Sequence, residues 1–337
     1  MKKAYLNSID FELAKNCITN VLLATQYPDH TPEIIFKNSG IKQRFAVDKG
    51  TVCTDFAAEI VNPLLDKRQI NRTEIDFLIY CTEAPDYIAP ASSTVLHKKL
   101  GLPTTCGTFD LQFGCSGYTY GLLLAKSLIE SGLAKKILFI TADIPTQVIS
   151  EEDTALRFLF SDAVSMSVIS DTAQGFAIGN FEKGTDGNGE DALFVANSGF
   201  KEPRKQDWFT DKATKNLPVG RMTMDGLKVF RFSLDVVPTL VEETLKKNNL
   251  THENIDLFVF HQASNIILKS LQRKLKIADS KIFNNIEKNG NTVSASIPIA
   301  LQEALEKGII KKNMNIMVVG FGIGFSWSAT VLNTAKL

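Results

Sequence analysis

One pattern is written twice in this chain, about 180 residues apart, and that duplication narrows the folds open to it more than any other feature. Asn71-Arg-Thr-Glu-Ile-Asp-Phe-Leu-Ile-Tyr-Cys-Thr returns 180 positions later as Thr251-His-Glu-Asn-Ile-Asp-Leu-Phe-Val-Phe-His-Gln. Before each copy, residues 56–67 and 236–247 place apolar side chains at i, i+3 and i+4, the spacing of one helix face. Each copy then enters an unbroken apolar run, which predicts a strand covered on both faces of a sheet. A second pair follows. Gly114-Cys-Ser opens a helical pattern that closes at Gly132, and Gly290-Asn-Thr opens one that closes at Gly308, both at a spacing of 176. The closing glycines fit helix C-caps, and a further strand follows each. Cys115 therefore corresponds to Asn291.

Helix and buried strand recurring in two halves predict an α/β architecture with mainly parallel sheets. The halves are expected at 1–173 and 174–337, with a Gly-, Asp-, Asn- and Lys-rich surface excursion over 183–215. If the halves pack face to face, loops at matching positions converge on one site. Composition removes several other functions. The 37 basic and 37 acidic residues form no basic stripe, so no nucleic-acid partner is expected. No run of 18 apolar residues predicts a membrane span, and the N-terminus lacks a signal-like apolar segment. Five cysteines without a Cys-x-x-Cys spacing fit a reducing cytoplasm. With four scattered histidines they predict neither a metal site nor another cofactor.

Three polar residues fall at the ends of repeat elements. Cys115 begins a helix, where the positive end of the helix dipole is expected to favour the thiolate. His261 ends the apolar run 255–260 and precedes a helical run over 265–275. Asn291 begins a helix in the second half. Singly, each has a plain alternative: a buried structural thiol, a hydrogen-bonded imidazole, a turn or N-cap amide. Their shared placement on equivalent edges favours a constellation. Papain-like proteases also order Cys, His and Asn, but they carry Cys-Gly-Ser-Cys-Trp near the mature N-terminus and no such duplication.

Phe109-Asp, Cys115-Ser-Gly-Tyr-Thr-Tyr, His261-Gln-Ala-Ser, Gly290-Asn-Thr-Val-Ser-Ala-Ser-Ile-Pro and Phe321-Gly-Ile-Gly-Phe-Ser-Trp, in that order, resemble β-ketoacyl-acyl-carrier-protein synthase III of the thiolase superfamily. The resemblance runs from Gly40-Ile-Lys-Gln-Arg to the C-terminal strand. It implies the five-layered αβαβα thiolase-like fold, a homodimer, and an acyltransferase of fatty-acid or specialised polyketide biosynthesis. Cys115 would take an acyl group from acyl carrier protein or acyl-CoA, then undergo decarboxylative Claisen condensation with a malonyl carrier. His261 and Asn291 would bind the malonyl thioester oxygen. Ile323, flanked by Gly322 and Gly324, would offer an amide to the acyl oxygen, and Phe321 would gate the decarboxylating carboxylate.

Several positions depart from that family. Where it stacks coenzyme A on Trp and binds phosphate with Arg, this chain has Ile34 and Asn38, then Ser264 and Ile266 after His261, and Thr154 near a further Arg position. Loss of the stacking face and cations predicts a carrier-protein primer donor. Ala89, in place of a bulky Phe at the dimer interface, predicts a roomier acyl pocket. Glu83 replaces a small polar residue and stands 32 residues before Cys115, as in hydroxymethylglutaryl-CoA synthase. It is either an accessory base for a non-decarboxylating condensation or a solvated strand-end carboxylate. A non-catalytic partner subunit is the remaining alternative, and Cys115, His261 and Asn291 all speak against it. Lys269, Arg273 and Lys274 are candidates for docking an acidic carrier.

Overall fold

The computed structural model describes residues 2–201, 215, 217 and 220–337. In chain order its first elements are β1 (Tyr5–Leu13), β2 (Asn16–Thr19), α1 (Asn20–Gln26), α2 (Pro32–Ser39), β3 (Gln43–Ala46), α3 (Cys53–Lys67), β4 (Phe77–Cys81), α4 (Ser92–Lys99), β5 (Gly107–Leu111), α5 (Gly117–Glu130), β6 (Lys136–Asp143), α6 (Thr154–Arg157) and β7 (Ala163–Ser170). There follow β8 (Gly175–Thr185), β9 (Leu193–Ala196), β10 (Arg221–Met224), α7 (Gly226–Lys247), β11 (Leu257–Phe260), α8 (Asn265–Lys274), α9 (Ile286–Asn289), α10 (Ser296–Glu306), β12 (Asn315–Gly322) and β13 (Ser326–Lys336).

Nine strands form the main sheet in the order β11-β12-β13-β8-β1-β7-β6-β4-β5. It is two copies of one arrangement. From the centre outward the first half runs β1, β7, β6, β4, β5, and the second runs β8, β13, β12, β11. An isolated parallel bridge between Phe258 and Ile282 stands where a fifth strand would pair. The copies join at a short antiparallel seam, Tyr5 opposite Ala177 and Leu6 opposite Phe176.

Pairing directions are mixed within each half, not mainly parallel. β4 pairs parallel with β5 and β6, while β7 runs antiparallel to β6 and β1. In the second half a turn of three residues reverses β12 into β13, too short for the crossover that parallel pairing needs.

Side-chain packing sets the layers. α3 and α4 cover one face of β4, β6 and β7 through Phe56, Val61, Leu65 and Leu96. α7 and α8 do the same for β11–β13 through Val237, Val241, Leu268 and Leu271. Between the two sheet halves lie α5 and α10, whose Tyr118, Leu122, Ile297 and Leu301 share one core with Phe139, Val259 and Val318. The sequence of layers is αβαβα. Both central helices end as their glycines require: Gly132 and Gly308 take left-handed φ of 82° and 65°.

α7 is longer than its apolar spacing indicates. It begins at Gly226, where Asp225 accepts the amides of Leu227 and Lys228, and continues through Pro238. The expected excursion over 183–215 divides into the end of β8, a two-stranded sheet of β9 with β10, and residues 202–214, which lie outside the described residues. Among the described residues no helix is long and apolar enough to cross a membrane.

Phe139 stands at the heart of the middle layer. It stacks on Tyr118 with centroids 5.4 Å apart, and its ring occupies the space where a methyl at Gly121 would lie 2.1 Å away. Phe139→Ala should cost about 3–5 kcal/mol and lower the thermal midpoint by several degrees. An unchanged midpoint would contradict the placement of this ring in the shared core.

Candidate active site

Cys115 sits in a tight turn that feeds α5. Gly117 donates its amide to the Gly114 carbonyl at 2.7 Å, and Tyr120 donates to Ser116 at 3.2 Å. The cysteine is 5 % exposed, inside an apolar shell of Ile149, Leu156, Phe160, Leu193, Met222 and Val293. Ile149 also borders a cavity of about 650 Å³ lined by Ile18, Val47, Gln147 and Arg157.

The second half closes on this turn with bare backbone. A methyl at Gly322 would lie 2.5 Å from Cys115 Cβ and 3.0 Å from its sulfur, and one at Gly320 3.0 Å from Ser116 Cα. Only glycine permits that approach. A serine chain then fixes the β12–β13 turn. Ser326 Oγ donates to the Ile323 carbonyl at 2.8 Å, which leaves Ser116 Oγ as donor to Ser326 Oγ at 2.7 Å. The turn so placed brings the Ile323 backbone beside Cys115, where its amide acts to lower the pKa of the thiol.

Burial pushes the Cys115 thiol well above its ordinary value. The charges of Glu83 and Asp143 add to this, and the amides of Ile323 and Cys115 oppose it without prevailing. The helix start therefore does not leave Cys115 as a resting thiolate, because desolvation and two carboxylates outweigh it.

His261 extends the β11–β12 ladder, donating its amide to Val319 at 2.8 Å. Its ring is buried, edge-on to Phe321 with centroids 5.7 Å apart. Nδ1 lies 2.7 Å from Ser296 Oγ, and that oxygen also receives the Gln262 amide at 3.4 Å. An oxygen already accepting an amide best serves Nδ1 by donating its own hydrogen, which assigns the remaining ring hydrogen to Nε2. Burial lowers His261 to about 3, so it is neutral across the physiological range.

Asn291 does not begin a helix as expected. It forms an isolated bridge with Phe160, and α10 starts only at Ser296, after a 3-10 turn over Val293–Ala295. Its side chain is nonetheless buried and equally constrained. Its Oδ1 accepts the Val293 amide at 2.9 Å, and Nδ2 donates one hydrogen to the Ala263 carbonyl at 3.1 Å. Nδ2 has a second hydrogen to offer. Ala263 belongs to the segment leaving β11, so Asn291 is anchored two residues beyond His261.

Of the other expected residues, Phe321 is buried and Ile323 half-buried beside the sulfur, while Gly324 adopts a φ of 133° within the turn. Glu83 is not a solvated strand end: it is half-buried, and its carboxyl packs against Gly114. Ala89 is exposed in the loop between β4 and α4. Ile34 and Ile266 are exposed, and Ser264 is engaged as N-cap of α8. Asp143, Ser294, Ser296, Ser116 and Ser326 were not singled out from sequence. Ser294 and Ser296 follow Asn291 by three and five positions, the only hint it held. Among the described residues, no group of three or more His, Cys, Asp or Glu is placed to hold a metal ion.

Comparison with known proteins gives a consistent result. Residues 109–187 match the family 3-oxoacyl-[acyl-carrier-protein] synthase III, and residues 245–334 match its C-terminal part. β-Ketoacyl-[acyl-carrier-protein] synthase III of Caldanaerobacter subterraneus is 32 % identical over 308 residues, covering 91 % of each chain. A crystal structure of 3-oxoacyl-(acyl-carrier-protein) synthase III superposes with a TM-score of 0.92 at 36 % identity, over 98 % of this chain and 99 % of that one. The priming β-ketosynthase of the R1128 polyketide pathway gives 0.86 at 25 % identity, over 100 % and 98 %.

Gly322→Ala should slow acylation of Cys115 by about 100-fold, because the added methyl displaces the sulfur from its amide donor. Stopped-flow or quenched mass spectrometry reads that rate, and a wild-type value would contradict the close approach of β12.

Proposed function

This chain belongs to the 3-oxoacyl-[acyl-carrier-protein] synthase III family of acyl-transferring condensing enzymes, and from that premise we propose that Cys115 carries the acyl group through both halves of the reaction. In the first half the Cys115 sulfur attacks an acyl thioester, and the amides of Cys115 and Ile323 receive the developing oxyanion. In the second half a malonyl thioester loses carbon dioxide. His261 Nε2–H and Asn291 Nδ2–H donate to its thioester oxygen as negative charge gathers there. The resulting enolate attacks the acyl carbon, and the Cys115 sulfur leaves. Phe321, edge-on to His261, gives the departing carboxylate an apolar wall. Loss of either donor should cost about 100- to 1,000-fold in the decarboxylating step. The observation that carries this reading is the bare backbone of Gly322 held against Cys115, beside two polar side chains whose anchoring leaves each one hydrogen to donate.

Acyl carrier protein is the preferred primer donor in this reading. Around the cavity Lys49, Arg157 and Lys215 are matched by Asp48, Glu151 and Glu152, so no net positive charge awaits nucleotide phosphates. The exposed Ile34 and Ile266 offer neither a stacking face nor a cation. Lys269, Arg273 and Lys274 are exposed on α8 and suit an acidic carrier. We place the protein in the cytoplasm as a homodimer of two duplicated halves meeting at 173/174. Five free cysteines support that compartment. The open edge of β5, with Tyr87 and Ile88 exposed in the loop between β4 and α4, supports self-association. Ala89 lies in that same loop, where its small side chain would leave space for a longer primer.

Intact-protein mass spectrometry after exposure to acyl-carrier and acyl-CoA donors tests the reading. Cys115 should acylate faster from the carrier, and Cys115→Ser should gain no acyl mass. An adduct on Cys115→Ser contradicts the nucleophile; rapid labelling by micromolar acetyl-CoA contradicts the donor preference.

A further inference from the structure

The first half-reaction needs a proton acceptor, and the residues assigned so far supply none. Cys115 must lose a proton from a buried thiol, and no cation stands among the groups acting on it. His261 cannot take that proton. Its Nδ1 lone pair is occupied by Ser296, and its Nε2 already carries hydrogen. Cys81, the other thiol at the end of β4, donates to the Phe113 carbonyl at 3.1 Å.

Two carboxyls lie beside the turn. Glu83, two residues past β4, packs on the residue before the nucleophile: a methyl at Gly114 would lie 2.0 Å from Glu83 Oε1 and 2.4 Å from its Cδ. Asp143 ends β6, the parallel neighbour of β4. Its Oδ1 accepts the Glu83 amide at 2.8 Å. Its Oδ2 accepts the Ser294 amide at 3.2 Å and the Ser294 hydroxyl, from the segment that follows Asn291. Burial raises the Asp143 carboxyl to about 7, while these three donors oppose that rise and use its oxygens. Glu83 keeps acceptor oxygens of its own, near enough for its charge to act on Cys115.

We propose that Glu83, positioned by Asp143, is the base that accepts the Cys115 proton during acylation and hands it to the departing thiol of the donor. This rests on the reading of Cys115 as the acyl carrier. The step balances. The Cys115 S–H proton passes to the Glu83 carboxylate as sulfur bonds to the acyl carbon. The donor's C–S bond then breaks, and its thiolate takes the proton back from Glu83. The result is thiol–thioester exchange with no net proton change, and Glu83 ends as it began.

The surroundings suit a base that works near neutrality. Burial raises the Glu83 carboxyl and the charge of Asp143 raises it further, with no cation among the forces acting on it. The titratable groups facing the pair are Cys81 and Cys115 and, on the Asp143 side, Cys53, Tyr80 and Asp162. Glu83 is active when deprotonated, so acylation should rise with pH through the titration of the carboxyl pair. That rise comes well below the range of the buried thiol.

Single-turnover acylation, followed by quenched mass spectrometry from pH 5 to 10, decides the matter (the pH range is roughly that bracketing the carboxyl and thiol values). In the wild type the rate should climb through neutrality and level off. Glu83→Gln should slow acylation about 100-fold at neutral pH and move the climb to the thiol's own higher range. Asp143→Asn should shift the midpoint downward, as removal of the neighbouring charge requires. A Glu83→Gln enzyme with the wild-type rate and profile would overturn the proposal. So would a wild-type profile that climbs only in the thiol range, which decides the case even without a folded variant. Acylation of Cys115→Ser would instead sink the reading of the nucleophile, and so is distinguishable.

Discussion

The centre of this molecule depends on the backbone of β12 lying against the turn that carries Cys115. Gly320 and Gly322 have no side chains there, so a strand of the second half reaches the nucleophile of the first at van der Waals distance. Ile323 comes to lie beside Cys115 as a consequence, and the Ser116–Ser326 contact fixes its turn. Without that approach Cys115 would keep its own amide but lose the Ile323 amide beside it.

Around this contact the site works by neutrality and fixed donors. Burial holds His261 neutral and Cys115 protonated, and it also raises the carboxyls of Asp143 and Glu83, which stand on one side of the thiol. A neutral imidazole with its hydrogen on Nε2 stabilises negative charge without needing to change protonation. The price is that the same ring cannot activate the thiol, and the carboxyl pair stands where that function is missing. In the proposed reaction the two halves thus draw on different polar groups within one desolvated space.

Much of this was legible in the chain. The strands β4 and β11, the helix α5, the body of α10 and the capping glycines followed from periodicity, because each element is apolar and punctuated. Cys115, His261 and Asn291 followed from their equivalent positions in the repeat. The mixed pairing of the sheet was not legible, since direction is set by connection geometry and β12 and β13 differ little from strands of a parallel sheet. The first turns of α7 were hidden behind Pro238, which usually marks a boundary but is accommodated inside this helix. The elevated state of the Cys115 thiol was hidden for another reason: Glu83 and Asp143 lie 60 positions apart and meet only through strand pairing. Ser296, which sets the His261 tautomer, gave no local sign of its role.

The central claim is that one acyl group passes through Cys115 on its way to product. Its most direct test is to acylate the enzyme once, remove the donor, add malonyl-carrier protein and follow the Cys115 peptide by mass spectrometry. The acyl adduct should disappear in step with carbon dioxide release and an equal amount of β-ketoacyl carrier. Product formed while the adduct on Cys115 persists would contradict the account.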